Sequence, residues 1–172
     1  MASAEEHVRK HFPRCILGVD ATPIAPFRED DRPVTAFELA QLGTEAANAR
    51  VFGYPLSDYN DRYDGSEFIS PLSLKWPDES LVCVFDSDLH GYHGEMDSSA
   101  KLRGDGQAVE FLCRSCSGTS FQIRVQFDYI DDLNEFWEEE PDLAIQDYFE
   151  NILFEGTCTA CGSVNTILDM DL

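Results

Sequence analysis

Four cysteines constrain this chain more than anything else in it. They form two pairs, Cys113-Arg-Ser-Cys116 and Cys158-Thr-Ala-Cys161, with 41 residues between the pairs. A two-residue spacing puts both sulfurs of a pair on one tight turn, where they reach the same ion. Two such turns supply four thiolates in a closed tetrahedron, the arrangement of a structural zinc site. Small residues follow each pair, Ser117-Gly118 and Gly162. They let backbone amides approach the sulfurs and stabilise their charge. Iron in place of zinc, or a redox-active dithiol, are the alternatives. Neither pair precedes a helical pattern of the kind that activates a redox cysteine, so one Zn²⁺ held by Cys113, Cys116, Cys158 and Cys161 is the expectation.

The last third of the chain resembles a zinc ribbon, in which two such knuckles sit on two β-hairpins. It is similar to bacterial zinc-ribbon proteins of unassigned function, a resemblance that implies a fold and no activity. Simple ribbons place about 12–20 residues between their pairs. The longer gap here must hold a strand and an acidic helical insert.

Around that site the pattern reads as α+β: an antiparallel sheet, a C-terminal zinc-ribbon-like Cys₄ site and a few short helices. Phe121, Ile123, Val125, Phe127 and Tyr129 alternate with Gln122, Arg124, Gln126 and Asp128, the period-two mark of a strand with one buried face. Leu72, Leu74 and Trp76 alternate likewise. Leu81–Phe85 reads as a short buried strand, and residues 164–168 as a terminal strand. Leu133, Phe136 and Trp137 share one helical face. Pro141 suits the first position of a second helix, striped by Ile145, Tyr148, Phe149 and Ile152. Residues 2–12 suit a short amphipathic helix. Thr35 and Glu38 have capping-box spacing, which predicts a helix from about Ala36 through the alanine- and leucine-rich stretch. Residues 21–33, with three prolines, read as an irregular connection, and residues 86–106 as a polar loop. Cys15 and Cys83 lie in apolar runs and read as small buried hydrophobes. The natural division is residues 1–105 and residues 106–172, packed together as a single domain.

Charge limits the partners. With 33 acidic against 12 basic residues the net charge is -21. That repels phosphate backbones and anionic lipid, so direct nucleic-acid and membrane binding are not expected. It favours basic protein partners. No secretory signal or membrane-spanning run is evident, so a reducing cytoplasm is the expected setting, where paired cysteines bind metal before they form disulfides.

Residues 125–172 carry 13 acidic residues and no lysine or arginine. Glu135, Glu138, Glu139, Glu140 and Asp142 surround Trp137 there, and these six are the candidate contacts for a basic protein. An inhibitor or immunity-type protein is the leading reading, and an accessory of the transcription or translation machinery another. A metal-dependent hydrolase is the alternative. It would centre on residues 86–97, where His90 and His93 stand among Asp86, Asp88, Glu95 and Asp97.

Overall fold

The computed structural model describes residues 3–63, 65–77, 80–89 and 103–171. Its described strands are β1 (Val19–Ile24), β2 (Val34–Gln41), β3 (Asn48–Pro55), β4 (Phe68–Lys75), β5 (Leu81–Phe85), β6 (Val109–Glu110), β7 (Phe121–Asp128), β8 (Asn151–Cys158) and β9 (Val164–Asp171). Two short helices accompany them, α1 (Ala4–Lys10) and α2 (Leu133–Glu139). The class is α+β, dominated by the sheet.

Strand β7 organises the fold. Its apolar residues Phe121, Ile123, Val125 and Phe127 are fully buried, as their alternation requires. On one side it pairs with β8 along its whole length, from Phe121↔Cys158 to Asp128↔Asn151. On the other side it is shared: Phe121 and Gln122 pair with β3, and residues 124–128 pair with β2. β8 turns back into β9, β9 meets β4 in a parallel step at Phe68↔Leu168, and β4 pairs with β3. Five strands, β3-β4-β9-β8-β7, therefore close into a mixed barrel. β1 and β2 splay from one edge and β5 from another. Around this ring the two strands before position 105, β3 and β4, form one block and the three after it form another, and the blocks meet at β4–β9 and β7–β3.

Aromatic rings fill the interior. Phe68, Phe111 and Phe121 form a run of edge-to-face contacts, with centroids 5.1 and 5.5 Å apart. α1 packs against α2, the 3-10 turn at Ile145–Asp147 and β2, burying Ala4 and Val8, with the Ala4 N–H donating to Asn134 Oδ1 of α2 at 2.8 Å.

Several sequence expectations are corrected. Residues 36–50 hold no helix but the strands β2 and β3. Alanine and leucine favour a helix only weakly, and pairing on both edges of β2 overrides that preference. Glu38 caps nothing; it accepts a 2.6 Å bond from Gln122 Nε2 on the neighbouring strand. Residues 21–24, read as the start of an irregular connection, belong instead to the strand β1, whose Pro23 is tolerated because β1 is an edge. No α-helix follows Pro141, only a single 3-10 turn at Ile145–Asp147. Ile145 and Phe149 are buried as their stripe implied, but the Tyr129 hydroxyl donates to the Gln146 carbonyl at 2.8 Å and fixes a non-helical path. Leu81–Phe85 is a strand, but Leu81 and Cys83 are exposed on it. Cys15 is only partly buried.

Beyond Gln122, the polar face of β7 is covered rather than solvated. Residues 25–33 cross it as a strap. Gln126 is fully buried beneath the strap, accepting from the Phe27 and Arg28 N–H groups at 3.0 and 3.1 Å and donating to the Arg28 carbonyl at 2.8 Å. Arg124 lies 4.1 Å from the Phe27 ring centroid, a cation–π contact on the same strap.

Candidate metal centre

Both knuckles are built alike. In the first, the Cys113 N–H donates to the Gly118 carbonyl and the Ser117 N–H to the Cys113 carbonyl, each at 2.8 Å. In the second, the Cys158 N–H donates to the Ser163 carbonyl at 2.9 Å and the Gly162 N–H to the Cys158 carbonyl at 2.8 Å. The residue after each second cysteine takes a left-handed backbone, Ser117 at φ 61° and Gly162 at φ 75°. Glycine adopts this freely, whereas serine does so at some cost.

Their settings differ, which corrects the expectation of two hairpins. The second knuckle is the tip of the β8–β9 hairpin. The first interrupts one edge. β6 pairs with Phe52 and Gly53 of β3, the Phe111 N–H donates to the Val51 carbonyl, and β7 resumes at Ala49 and Asn48. Residues 113–118 thus loop out of a path that otherwise follows β3 continuously.

The pairing Phe121↔Cys158 brings the knuckles together. Because β7 and β8 are antiparallel, whatever connects their far ends leaves the near ends adjacent. The gap of 41 residues is therefore no obstacle. The four sulfurs lie within 4.8 Å of one another. Across the knuckles, Cys113 and Cys161 sulfurs are 3.7 Å apart, and those of Cys116 and Cys158 3.6 Å. A tetrahedron with metal–sulfur bonds of about 2.3 Å has edges of about 3.8 Å. A disulfide would need about 2.05 Å. The cysteines are free thiols spaced as metal ligands, and this group could hold a metal ion.

Burial is divided. Cys113 and Cys158 are each 2% exposed and pack on the aromatic core, while Cys116 and Cys161 face solvent. The Ser163 hydroxyl, 3.1 Å from both Cys113 and Cys161, favours their thiolates and holds Cys113 down at about 5. Cys116 receives the Gly118 N–H, which favours its thiolate. The neighbouring Cys161 and Cys158 sulfurs nevertheless push it up to about 12. Four thiolates this close repel one another, and a divalent cation at their centre removes the conflict.

Sequence reasoning missed Ser163 and Asn165. Asn165 is buried, its amide nitrogen 3.6 Å from the Cys113 sulfur and its Oδ1 accepting from the Arg114 N–H at 2.9 Å. No motif marks it; only the register of β9 brings it there. Arg114 itself turns away, pairing with Glu67 at 3.2 Å and donating to the Thr166 carbonyl. Residues that orient ligands commonly shift metal affinity by about 10–100-fold. Asn165→Ala is therefore expected to lower affinity by about tenfold or more in competition with a chelating dye. Gly118→Ala should act similarly, since its added carbon would stand 3.0 Å from the Cys158 sulfur and 3.2 Å from that of Cys116.

The other candidates lie apart from this centre. Helix α2 follows the far end of β7, about 25 Å from the knuckles at strand rise. Glu135, Glu138, Glu139, Glu140 and Asp142 are exposed, and Trp137 is half-buried with its ring 4.9 Å from that of His7. Within residues 86–97, His90, His93, Glu95 and Asp97 lie outside the described residues. Asp86 and Asp88 both meet Arg103 at 3.0 Å. Sequence reasoning also missed a cleft of about 430 Å³ beside the strap, lined by Arg28, Asp30, Arg32, Asp128, Asn151 and Asp169 among others. Its charges are largely paired, Arg28 with Asp169 at 2.8 Å and Arg32 with Glu150 at 2.9 Å. Among the described residues, only the four cysteines gather three or more ligating groups around one point.

No helix among the described residues is long and apolar enough to cross a membrane. The chain matches no family model, no curated protein and no solved structure.

Proposed function

We propose that the protein is a zinc-stapled scaffold that binds a basic protein partner through the acidic end of its barrel. Zinc suits four thiolates in a closed tetrahedron. With every coordination position taken by sulfur, the ion would have none left for substrate, so its role is structural.

One observation carries the partner reading. Glu135, Glu138, Glu139, Glu140 and Asp142 are exposed around Trp137, and none makes an ion pair among the described residues. The bases in and just after α1 do not neutralise them: Arg9 and Lys10 pair with Glu5 and Glu6, and Arg14 with Asp147. A run of exposed, unpaired carboxylates beside a half-buried tryptophan suits contact with lysine and arginine. In its most concrete form the protein is an inhibitor of immunity type, acting in a reducing compartment. Its carboxylates would cover the phosphate-binding surface of a basic enzyme such as a nuclease.

The test is charge reversal. A partner recovered by affinity capture is measured by calorimetry at low salt against the wild type and the triple variant E138K/E139K/E140K. Close interfacial charge pairs are worth about 1.5–7 kcal/mol each. Reversal is expected to weaken binding at least about 100-fold. Undiminished affinity in the triple variant would remove the acidic face from the account.

A further inference from the structure

The same four sulfurs support a second covalent state. The geometry points to a paired oxidative modification in which Cys113 bonds to Cys161 and Cys116 to Cys158, releasing the metal and replacing it as the clamp between the knuckles. This inference rests on the zinc reading only for what is released. The bridging itself depends on sulfur placement.

Two of the cross-knuckle contacts join an exposed sulfur to a buried one: Cys161 to Cys113 at 3.7 Å, and Cys116 to Cys158 at 3.6 Å. The exposed member is the one an oxidant reaches. The buried member lies in contact with it, positioned to resolve the product. With hydrogen peroxide as oxidant, the Cys161 sulfur attacks one oxygen, the O–O bond breaks, and one water leaves with a sulfenic acid on Cys161. The Cys113 sulfur then displaces that hydroxyl, forming the S–S bond and releasing a second water. Each bridge consumes one peroxide and two hydrogens, which come from the two thiols in the metal-free chain and as protons from solvent where the sulfurs are zinc-bound thiolates; Cys116 and Cys158 react in the same way.

Closing each bridge requires the sulfurs to approach from about 3.7 Å to bonding distance, about 2.05 Å. Rotation of the exposed side chains of Cys116 and Cys161 at the outer rim can supply this movement. The buried partners are held by the core around Phe111 and Phe121. The consequence differs from that of an ordinary zinc site, where oxidation unfolds the domain. Here both bridges link residues 113–118 to residues 158–163, so the β6–β7 loop stays tied to the β8–β9 tip with no ion present.

The experiment uses the full chain carrying Cys15→Ser and Cys83→Ser, which removes the two cysteines outside the centre. Zinc content is measured first, so failure of the zinc reading is registered separately. Peroxide is then added stepwise to the protein as purified, and in parallel to reduced protein stripped by chelator. Zinc release is followed with a chelating dye, bridges are mapped by peptide mass spectrometry, and thermal melting is recorded. The expected result is Cys113–Cys161 and Cys116–Cys158 bridges in both samples. Release of the bound zinc should accompany them, and the oxidised metal-free chain should melt well above the reduced metal-free chain. Bridges within a knuckle, Cys113–Cys116 or Cys158–Cys161, would overturn the inference. So would sulfinic acids without bridges, or a melting temperature no higher than that of the reduced stripped chain.

Discussion

Cys113→Ser is expected to abolish cooperative unfolding of the C-terminal half of the chain, and Cys161→Ser to do nearly the same. Binding of zinc to four thiolates contributes on the order of 10 kcal/mol in small domains. The whole net stability of a domain is typically about 5–15 kcal/mol. Losing one ligand therefore removes a large share of what holds the fold. Cys113 is the more severe case because it is buried in the same apolar core as Phe111, Phe121 and Cys158, so serine also places a hydroxyl in that core. Cys161 is exposed, so its loss would act chiefly through the ion rather than through packing. Stripping the wild type with a strong chelator under reducing conditions should reproduce the Cys161→Ser melt. Thermal denaturation followed by near-ultraviolet circular dichroism measures both. An unchanged melting temperature in either variant would refute a structural role for the site.

The second large effect is expected far from the four cysteines, at Gln126. Its side chain satisfies two N–H groups and one carbonyl of the strap while fully buried. Gln126→Ala leaves those three backbone groups without partners. A buried unsatisfied group costs about 1–3 kcal/mol, and partial hydration of the strap recovers some of this. A net loss of about 3 kcal/mol is expected, or about 10 °C in melting temperature for a chain of this size. Gln122→Ala is the comparison. Gln122 lies on the same face of β7 but is exposed, with its side chain bonded to Glu38, so its loss should cost under about 1 kcal/mol. Hydrogen exchange should quicken across residues 25–33 in Gln126→Ala and stay unchanged there in Gln122→Ala. Equal melting of the two variants would mean that the strap contributes nothing to stability.

These two sites show what the sequence revealed and what it hid. The cysteine set was legible because tight turns enforce local geometry: a Cys-x-x-Cys spacing fixes two sulfurs before any tertiary contact exists. β7 was legible because its period of two runs unbroken through Phe127. The acidic helix α2 was legible from the shared face of Leu133, Phe136 and Trp137. What failed were inferences in which local preference competes with pairing partners. Residues 36–41 look helical alone and become a strand because β1 and β7 flank them. Pro141 can open a helix, but the Tyr129 hydroxyl claims the Gln146 carbonyl. Gln126 looks like a solvated residue because a strap from 98 or 99 residues earlier in the chain leaves no local mark. Asn165 was hidden for the same reason, since its approach to Cys113 spans 52 residues. Long-range register decided each case, and a single sequence does not encode register in any readable pattern.

A zinc-stapled scaffold requires one ion joining the two knuckles. Elemental analysis of the reduced wild-type chain, purified without chelator, addresses this most directly. About one zinc per chain is predicted, falling to near zero in a Cys113→Ser and Cys161→Ser double variant. Less than half an equivalent of zinc in the wild type, or an equal zinc content in the double variant, would contradict it.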